Sequence, residues 1–238
     1  MPGQEIKITA TGGGEFNCYI AVPTTSNGPA VIIMASIFGV DADVRGNVDD
    51  LAARGFVAAA PDLFWRGDAG PMPRTENGMQ RARERAKDRD ALIEKGVQDL
   101  ADVIAALDSY PQFNGKTAVV GLCYGGPYAL LGPARLGCAA GIAFHGTRVE
   151  NYLAELSKVQ VPLSLHWGDQ DHAAPPETLQ AIQAATRDMN NVDITVYPGV
   201  AHGYTAPSSS SAWNENAATR SWNRALDILN NLRDTAAA

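Results

Sequence analysis

The chain has 238 residues, of which 45% are hydrophobic, and it carries a formal net charge of −7 with a pI near 5.0. This length can bury the core of one full-size domain, which we take as residues 1–238, or at most two small ones. The acidic balance argues against nucleic acid or an anionic membrane as the main partner, because both bind basic surfaces.

The predicted elements begin with two strands and then alternate between strand and helix. Residues 5–10 and 16–22 are predicted to form an antiparallel hairpin around the glycine turn 12–14. Further strands are predicted at 30–35, 56–60, 117–121, 140–145, 162–167 and 193–197, and helices at 42–54, 88–109, 126–131, 176–188 and 212–233. This alternation predicts an α/β fold with a mostly parallel, doubly wound sheet, helices on both faces and the antiparallel hairpin at one edge. Ligand sites in such sheets lie beyond the carboxyl ends of the strands.

The most informative stretch is residues 117–126, TAVVGLCYGG, which predicts a strand, a sharp turn and a helix with Cys123 at the apex. Gly121 and Gly125 flank the turn in the nucleophile-elbow pattern G-x-S-x-G, with cysteine in place of serine. A turn this tight strains the central residue and brings strand and helix so close that flanking side chains would collide. The alternative is that Cys123 is a small buried core residue.

Two later strands also end in loops that carry polar side chains. The strand ending at Trp167 is followed by Asp169, Asp171 and His172, and the strand ending at Tyr197 is followed by His202 in a glycine-flanked loop. Each polar residue alone is also consistent with a solvated loop or a helix cap. Nucleophile, acid and histidine, in this order along the chain, is the arrangement of α/β-hydrolase triads. The three matches together predict a triad on an α/β-hydrolase fold.

The loop after the seventh predicted strand offers two carboxylates for the role of the acid. Gly168-x-x-Asp171 followed by Pro175 resembles the spacing that is usual in this fold class. We therefore assign Asp171 as the acid and interpret Asp169 as a loop or cap residue.

The chain as a whole resembles the dienelactone hydrolase family, whose members are α/β-hydrolases with a catalytic cysteine. The segments that carry the resemblance, besides the elbow and the loops of the acid and the histidine, are 37–40 (IFGV), 60–63 (APDL) and 96–100 (GVQDL). The resemblance implies a small-molecule lactone or ester as substrate. In the family's type reaction, a dienelactone with a free carboxylate is opened to maleylacetate during chloroaromatic breakdown.

The expected chemistry follows from the triad. His202 would take the proton of Cys123, and Asp171 would orient the ring and stabilise the imidazolium. The thiolate would attack the ester carbonyl, and the backbone N–H groups of Ile37 and Tyr124 would form the oxyanion hole. Water activated by His202 would then hydrolyse the thioester. No step needs a metal or an organic cofactor, and the sequence shows no metal-ligand spacing.

The candidates for substrate contact combine residues near the strand ends with positions implied by the resemblance: Ser36, Phe38, Arg81, His145 and Tyr204. Arg81 falls where the family has a carboxylate-binding arginine, although its run 81–85 also fits a solvated helix face. Ser36 stands where family members carry a glutamate that restrains the resting thiol. Ala206 stands where the best-known members carry a second arginine. These departures predict an altered or broadened substrate range.

A second interpretation is a thiol-based redox sensor or peroxide-reactive protein on a hydrolase scaffold. A sensor needs a reactive thiolate but neither a base placed for deacylation nor an oxyanion hole, and it usually has a resolving cysteine nearby. The presence of Asp171 and His202 favours the hydrolase.

The cysteines and the N-terminus bear on the compartment. Cys18, Cys123 and Cys138 are odd in number and lack C-x-x-C spacing, which is typical of free thiols in a reducing compartment. Residues 1–5 lack the basic start and apolar core of a signal peptide, and no apolar run reaches the roughly 18 residues of a membrane span. We expect a cytoplasmic monomer or small homo-oligomer without a membrane partner.

Overall fold

The computed structural model describes residues 2–24, 27–209 and 211–233 and divides into two compact units, Met1–Thr117 and Ala118–Ala238. The single domain expected over residues 1–238 stays a prediction.

The described part of the first unit contains three helices and four complete strands. They are β1 (Gln4–Thr9), β2 (Glu15–Ala21), β3 (Gly28–Met34), α1 (Ala42–Ala53), β4 (Val57–Pro61), α2 (Glu76–Arg85) and α3 (Arg89–Leu107). The strands lie in the order β1-β2-β4-β3. β1 and β2 form the predicted antiparallel hairpin, β2 pairs antiparallel with β4, and β3 pairs parallel with β4.

The central strands of this unit are apolar because both of their faces are covered. Every residue of β3 and of β4 is buried, as expected for strands of a parallel sheet. Helix α1 begins where the carboxylate of Asp41 accepts a hydrogen bond from the Val44 N–H at 3.1 Å, which is a typical N-cap. The chain then reaches β4 through Gly55, whose φ of 89° is readily adopted by glycine.

The second unit contains the strands that carry the predicted triad. β5 (Phe113–Leu122) enters this unit at Ala118, and it is followed by α4 (Tyr128–Leu136), β6 (Ala140–Phe144), β7 (Leu163–Gln170), α5 (Pro176–Thr186), β8 (Val192–Ala201) and α6 (Glu215–Asn231). The order is β5-β6-β7-β8, and all three neighbouring pairs are parallel. The predicted fold class, a mostly parallel sheet with an N-terminal antiparallel hairpin, is confirmed. Among the residues that the structure describes, no helix is long and apolar enough to cross a membrane.

Several boundaries differ from the sequence prediction. β7 and β8 continue past the predicted ends at 167 and 197, because a register shift after the Gly168–Tyr197 pair allows Gln170 to pair with Ala201. A 3-10 turn, Cys123–Gly125, precedes helix α4, which therefore begins two residues later than predicted and continues to Leu136. A 3-10 segment at Val149–Lys158 was not predicted.

His166 is a buried titratable residue inside β7. Its ring nitrogens lie 2.9 Å from Ser164 Oγ and 3.1 Å from the Tyr197 hydroxyl, and its ring stacks on Tyr197. Burial lowers the pKa of His166 to about 4, and the nearby Asp193 only partly opposes this effect. These contacts and the low pKa indicate a structural role for His166.

The buried His166 predicts a loss of stability in acid. An unfolded histidine titrates near pH 6.5, so between about pH 6.5 and 4 the unfolded chain binds a proton that the folded chain does not. Neutral His166 therefore contributes to the free energy of unfolding fully above about pH 6.5, and this contribution is lost as the pH falls to about 4. It is at most about 3 kcal/mol. We expect the change in the free energy of unfolding between pH 7 and pH 4.5, measured with urea, to be smaller by about 2 kcal/mol in His166→Gln. Equal changes in both proteins would contradict this.

Candidate active site

The turn after β5 has the geometry of a nucleophile elbow. Cys123 adopts a φ of 50°, one of three positive values among the non-glycine residues that the structure describes. A Cβ on Gly121 would lie 2.3 Å from the carbonyl oxygen of Gly125, which is far inside van der Waals contact. The strained apex and the close approach predicted from the G-x-C-x-G pattern are confirmed.

The peptide after Cys123 is held in one orientation. The Cys123 carbonyl oxygen accepts hydrogen bonds from the N–H of Gly126 at 3.0 Å, the N–H of Thr147 at 3.0 Å and the hydroxyl of Thr147 at 3.3 Å. Because a trans peptide is planar, the N–H of Tyr124 points opposite to this carbonyl. The contacts of Thr147 and Gly126 therefore set the direction of a donor beside the Cys123 side chain.

The acid and the histidine are brought together by strand pairing. Gln170 pairs with Ala201 at the carboxyl ends of β7 and β8, so the next residues, Asp171 and His202, leave the sheet side by side. His202 Nδ1 lies 2.8 and 2.9 Å from the two carboxylate oxygens of Asp171. The Asp171 side chain has no exposed surface, and it also accepts a hydrogen bond from the Ala173 N–H at 2.8 Å.

The other side of the His202 ring faces the cysteine. Nε2 of His202 lies 3.1 Å from Cys123 Sγ, so the imidazole bridges the carboxylate and the sulfur. Burial alone would lower the pKa of His202, but the hydrogen bonds and negative charges of Asp171 and Cys123 raise it to about 10. The arrangement therefore favours a protonated imidazole next to the sulfur at neutral pH.

The structure distinguishes the two carboxylates of the β7 loop. The carboxylate of Asp169 is exposed and accepts a hydrogen bond from the Gly199 N–H at 2.7 Å. Asp171 is the one that contacts His202. The geometry agrees with the assignment of Asp171 as the acid, and its catalytic role stays a prediction.

Two further histidine rings flank His202. The ring centroid of His145 lies 4.9 Å from that of His202, and that of His172 lies 5.4 Å away, both in edge-to-face orientation. His145 is buried with a φ of 42°, and its Nε2 lies 2.9 Å from Thr205 Oγ1. Tyr204, another predicted substrate contact, is fully buried next to His145, with ring centroids 5.4 Å apart. His145 thus packs on His202 and Tyr204 packs on His145, and the substrate-binding roles of both residues stay predictions.

Comparison with known proteins places this chain in a family. A profile of the dienelactone hydrolase family matches residues 16–233. The chain belongs to the dienelactone hydrolase family. It is 32% identical over 236 residues to carboxymethylenebutenolidase 1 of Cupriavidus pinatubonensis, covering 98% of this chain and 99% of the relative. A carboxymethylenebutenolidase of a Pseudomonas species is also 32% identical, over 234 residues, with 98% of this chain and 97% of the relative covered.

Solved structures support the fold. A dienelactone hydrolase-like promiscuous phosphotriesterase from metagenomic libraries superposes with a TM-score of 0.81 over 98% of this chain and 100% of that chain. Its sequence identity of 21% supports a shared fold alone. With the family match, the predicted resemblance is confirmed and the chain is a hydrolase.

In this hydrolase, the loop after β3 is held by internal contacts of the first unit. The Ser36 carbonyl accepts a hydrogen bond from the Gly39 N–H at 2.9 Å, and the Ser36 hydroxyl accepts one from the Phe38 N–H at 3.2 Å. The carbonyl of Ile37 accepts two hydrogen bonds from the Arg85 guanidinium, at 2.9 and 2.7 Å. Both peptide planes of the segment are therefore fixed, and the oxyanion role of the Ile37 N–H stays a prediction.

The remaining candidates in the first unit differ in exposure. Phe38 is buried and packs with Met72 and Ala82. Arg81 is exposed and pairs with the carboxylate of Asp68 at 2.6 and 3.1 Å. Neither contact tests substrate binding, so the substrate-binding roles of Phe38 and Arg81 stay predictions.

Sequence reasoning missed three residues, two that hold the candidate site and one that holds the loop after β3 in the first unit. Thr147 and Thr205 each follow a predicted site residue closely, and proximity to His145 and His202 was the available signal. Arg85 lies four residues after Arg81, and this spacing puts both on one face of a helix. The sequence shows no feature that separates the arginine that contacts backbone carbonyls from the exposed one.

The close approach at the elbow predicts a large cost for any side chain at Gly121. We expect Gly121→Ala to lower the free energy of unfolding by about 2–4 kcal/mol, because the new methyl group would overlap the Gly125 carbonyl. Gly46→Ala is the control, since a Cβ there meets nothing within 4 Å and the position is inside helix α1. Urea unfolding should show Gly46→Ala at wild-type stability or about 0.5–1 kcal/mol above it. Equal stabilities for the two variants would contradict the proposed constraint.

Proposed function

We propose that the chain hydrolyses lactones or small carboxylic esters through Cys123, His202 and Asp171, with a thioester acyl-enzyme as intermediate. The observation that carries this proposal is the unbroken set of contacts from the Asp171 carboxylate through the His202 ring to Cys123 Sγ, none longer than 3.1 Å. The names of the relatives, carboxymethylenebutenolidases, support a lactone as one substrate class.

Acylation begins after the thiol proton of Cys123 has been transferred to His202. Burial opposes the resulting imidazolium, but the Asp171 carboxylate and the Cys123 sulfur stabilise it and raise the pKa of His202 to about 10. The thiolate attacks the carbonyl carbon of the ester, and the C–O bond to the leaving alcohol breaks as His202 returns the proton to that oxygen. In a lactone, the leaving oxygen stays attached to the acyl group.

The tetrahedral intermediate needs donors for its oxyanion. The N–H of Tyr124 is oriented by the contacts of Thr147 and Gly126 with the preceding carbonyl, so it supplies a fixed dipole without reorganisation. The resemblance implies the Ile37 N–H as the second donor. Removing one such donor costs about 3 kcal/mol of transition-state stabilisation in related sites.

In deacylation, the same histidine acts as a base toward water. Neutral His202 takes a proton from water as the hydroxide adds to the thioester carbonyl, and the C–S bond then breaks, which releases the acid and restores the Cys123 thiolate beside protonated His202. This step separates a hydrolase from a thiol sensor.

The two other cysteines weaken the redox alternative. Cys18 and Cys138 are both buried, and burial raises the pKa of each thiol to about 12. A thiol with so little thiolate at neutral pH is poorly suited to resolve an oxidised Cys123. The burial of both thiols therefore favours hydrolysis over disulfide-based sensing.

Replacement of the triad residues tests the proposal. Cys123→Ala and His202→Ala should each reduce ester hydrolysis by far more than a hundredfold while the protein stays folded, because nucleophile and base are removed. Asp171→Asn should reduce kcat by about 10⁴-fold, since the amide no longer stabilises the imidazolium. Steady-state kinetics with an activated aryl ester measure all three effects.

Asp169→Asn is the matched control, because this carboxylate lies in the same loop and contacts only the Gly199 backbone in the hydrogen bonds described for it. It should cost little activity. Retention of more than about a hundredth of the rate by Cys123→Ala or His202→Ala would overturn the triad. An exchange of the two aspartate results would overturn the choice of acid.

Ser36 and Ala206 predict a substrate range broader than that of a strict dienelactone hydrolase. The side chains at both positions are uncharged, so neither a gating carboxylate nor a second arginine for a substrate carboxylate is present there. A charge-assisted partner contributes roughly 1.5–3 kcal/mol, so the preference for a free acid over a neutral ester should fall by about one to two decades. The measurement is kcat/KM for a dienelactone against its methyl ester.

The Ser36→Glu, Ala206→Arg double variant is the comparison for this prediction. It should shift the preference toward the free acid. A wild-type enzyme that already favours the free acid by about a hundredfold or more would contradict the prediction and would indicate another anchor, such as Arg81.

A further inference from the structure

Three metal-binding donors meet at the candidate active site. The sulfur of Cys123 and ring nitrogens of His145 and His202 all lie within 4.8 Å of one another. One thiolate and two imidazoles are ligands that Zn²⁺ prefers, and three protein ligands leave a fourth position for water. We propose that this cluster binds Zn²⁺ reversibly and that the bound ion blocks hydrolysis. The blocking rests on the proposed function, whereas zinc binding does not.

The sheet register explains why two of these donors lie together. Leu122 pairs with Phe144 at the carboxyl ends of β5 and β6, so the next residues, Cys123 and His145, leave neighbouring strands together. Both have positive φ values, 50° and 42°, which are uncommon for residues with a side chain. The third donor, His202, follows the end of β8 directly. All three donors thus follow strand ends, and small changes in their side-chain rotamers can bring the ligand atoms to zinc-binding distance.

Both histidines already have the outer contacts that metal ligands use. Nδ1 of His202 faces the Asp171 carboxylate, which leaves Nε2 directed at Cys123 Sγ. Nε2 of His145 lies 2.9 Å from Thr205 Oγ1, so Nδ1 is the nitrogen that would coordinate. A carboxylate or hydroxyl on the far side of an imidazole fixes the ring and its tautomer in zinc sites.

The donor distances bracket those of a zinc site, with one pair slightly closer and the others extending slightly farther apart. Ligands around a tetrahedral Zn²⁺ lie about 3.3–3.7 Å apart, given metal–ligand distances of about 2.0–2.3 Å. His202 Nε2 and Cys123 Sγ are 3.1 Å apart, and no pair exceeds 4.8 Å. Inward movement of the His145 side chain by about 1 Å is therefore sufficient to complete the site.

The binding step is an exchange of a proton for a metal ion. Zn²⁺ forms one bond to the Cys123 thiolate and one to each imidazole, and the proton shared by Cys123 and His202 is released to solvent. No oxidation or reduction occurs. The electron pairs used for coordination are those of the proposed nucleophile and base, so zinc and ester compete for the same atoms.

The direct test is metal binding by the full-length protein. Competition with a chromogenic chelator should show one Zn²⁺ per chain, and Co²⁺ in its place should give a thiolate-to-cobalt charge-transfer band. Ester hydrolysis should be inhibited with the same constant as binding. Mg²⁺ at equal concentration should have no effect, because it prefers oxygen ligands.

Variants identify the third ligand. His145→Gln should weaken Zn²⁺ binding by about a hundredfold or more, and Thr205→Val should weaken it by about 10–100-fold through loss of the outer contact. His172→Gln is the matched control, since this ring also packs on His202 but lies outside the donor set. It should keep the zinc affinity of the wild type. Unfolding curves in the presence of a chelator verify that each variant is folded.

Wild-type zinc affinity in His145→Gln would overturn the proposal, because binding would then need only Cys123 and His202. Absence of the cobalt band in the wild-type protein would overturn it as well. If His145→Gln does not fold, an unchanged affinity in Thr205→Val would do the same. Zinc binding with the predicted ligands in a protein that does not hydrolyse esters would support the metal site and contradict the proposed function.

Discussion

The absence of a side chain at Gly121 is the constraint on which the candidate site depends. With a Cβ at this position only 2.3 Å from the Gly125 carbonyl, the chain could not reverse direction so tightly after β5. The tight turn holds Cys123 at a φ of 50° and leaves its carbonyl to accept hydrogen bonds from Gly126 and Thr147. The strain at this residue persists because the surrounding hydrogen bonds and packing fix it.

The register of the parallel strands then determines which side chains meet. Residues that pair at the carboxyl ends of neighbouring strands are followed by residues that leave the sheet together. The Gln170–Ala201 pair precedes the acid and the histidine, and the Leu122–Phe144 pair precedes Cys123 and His145. The same rule thus accounts for the Asp171–His202 pair of the triad proposed for hydrolysis and for the Cys123–His145 pair of the donor cluster proposed for zinc.

The sequence was sufficient to predict the fold class, the elbow and the candidate triad residues, because each rests on local patterns of apolar runs, glycines and polar strand ends. It was insufficient for the ends of β7 and β8. Pro198 and Gly199 are typical of a loop, yet the pairing of Gln170 with Ala201 extends the ladder beyond them. Contacts such as Thr205 with His145 depend on residues 60 positions apart, and no local pattern encodes them.

The central claim is that Cys123 forms a thioester that water then cleaves. The most direct measurement is rapid quenching of the reaction with an activated aryl ester, followed by mass spectrometry of the peptide that contains Cys123. The account predicts an acyl group on this cysteine that appears in a burst of one product per chain and decays at the turnover rate. A label that persists without turnover, or an acyl group on another residue, would contradict it.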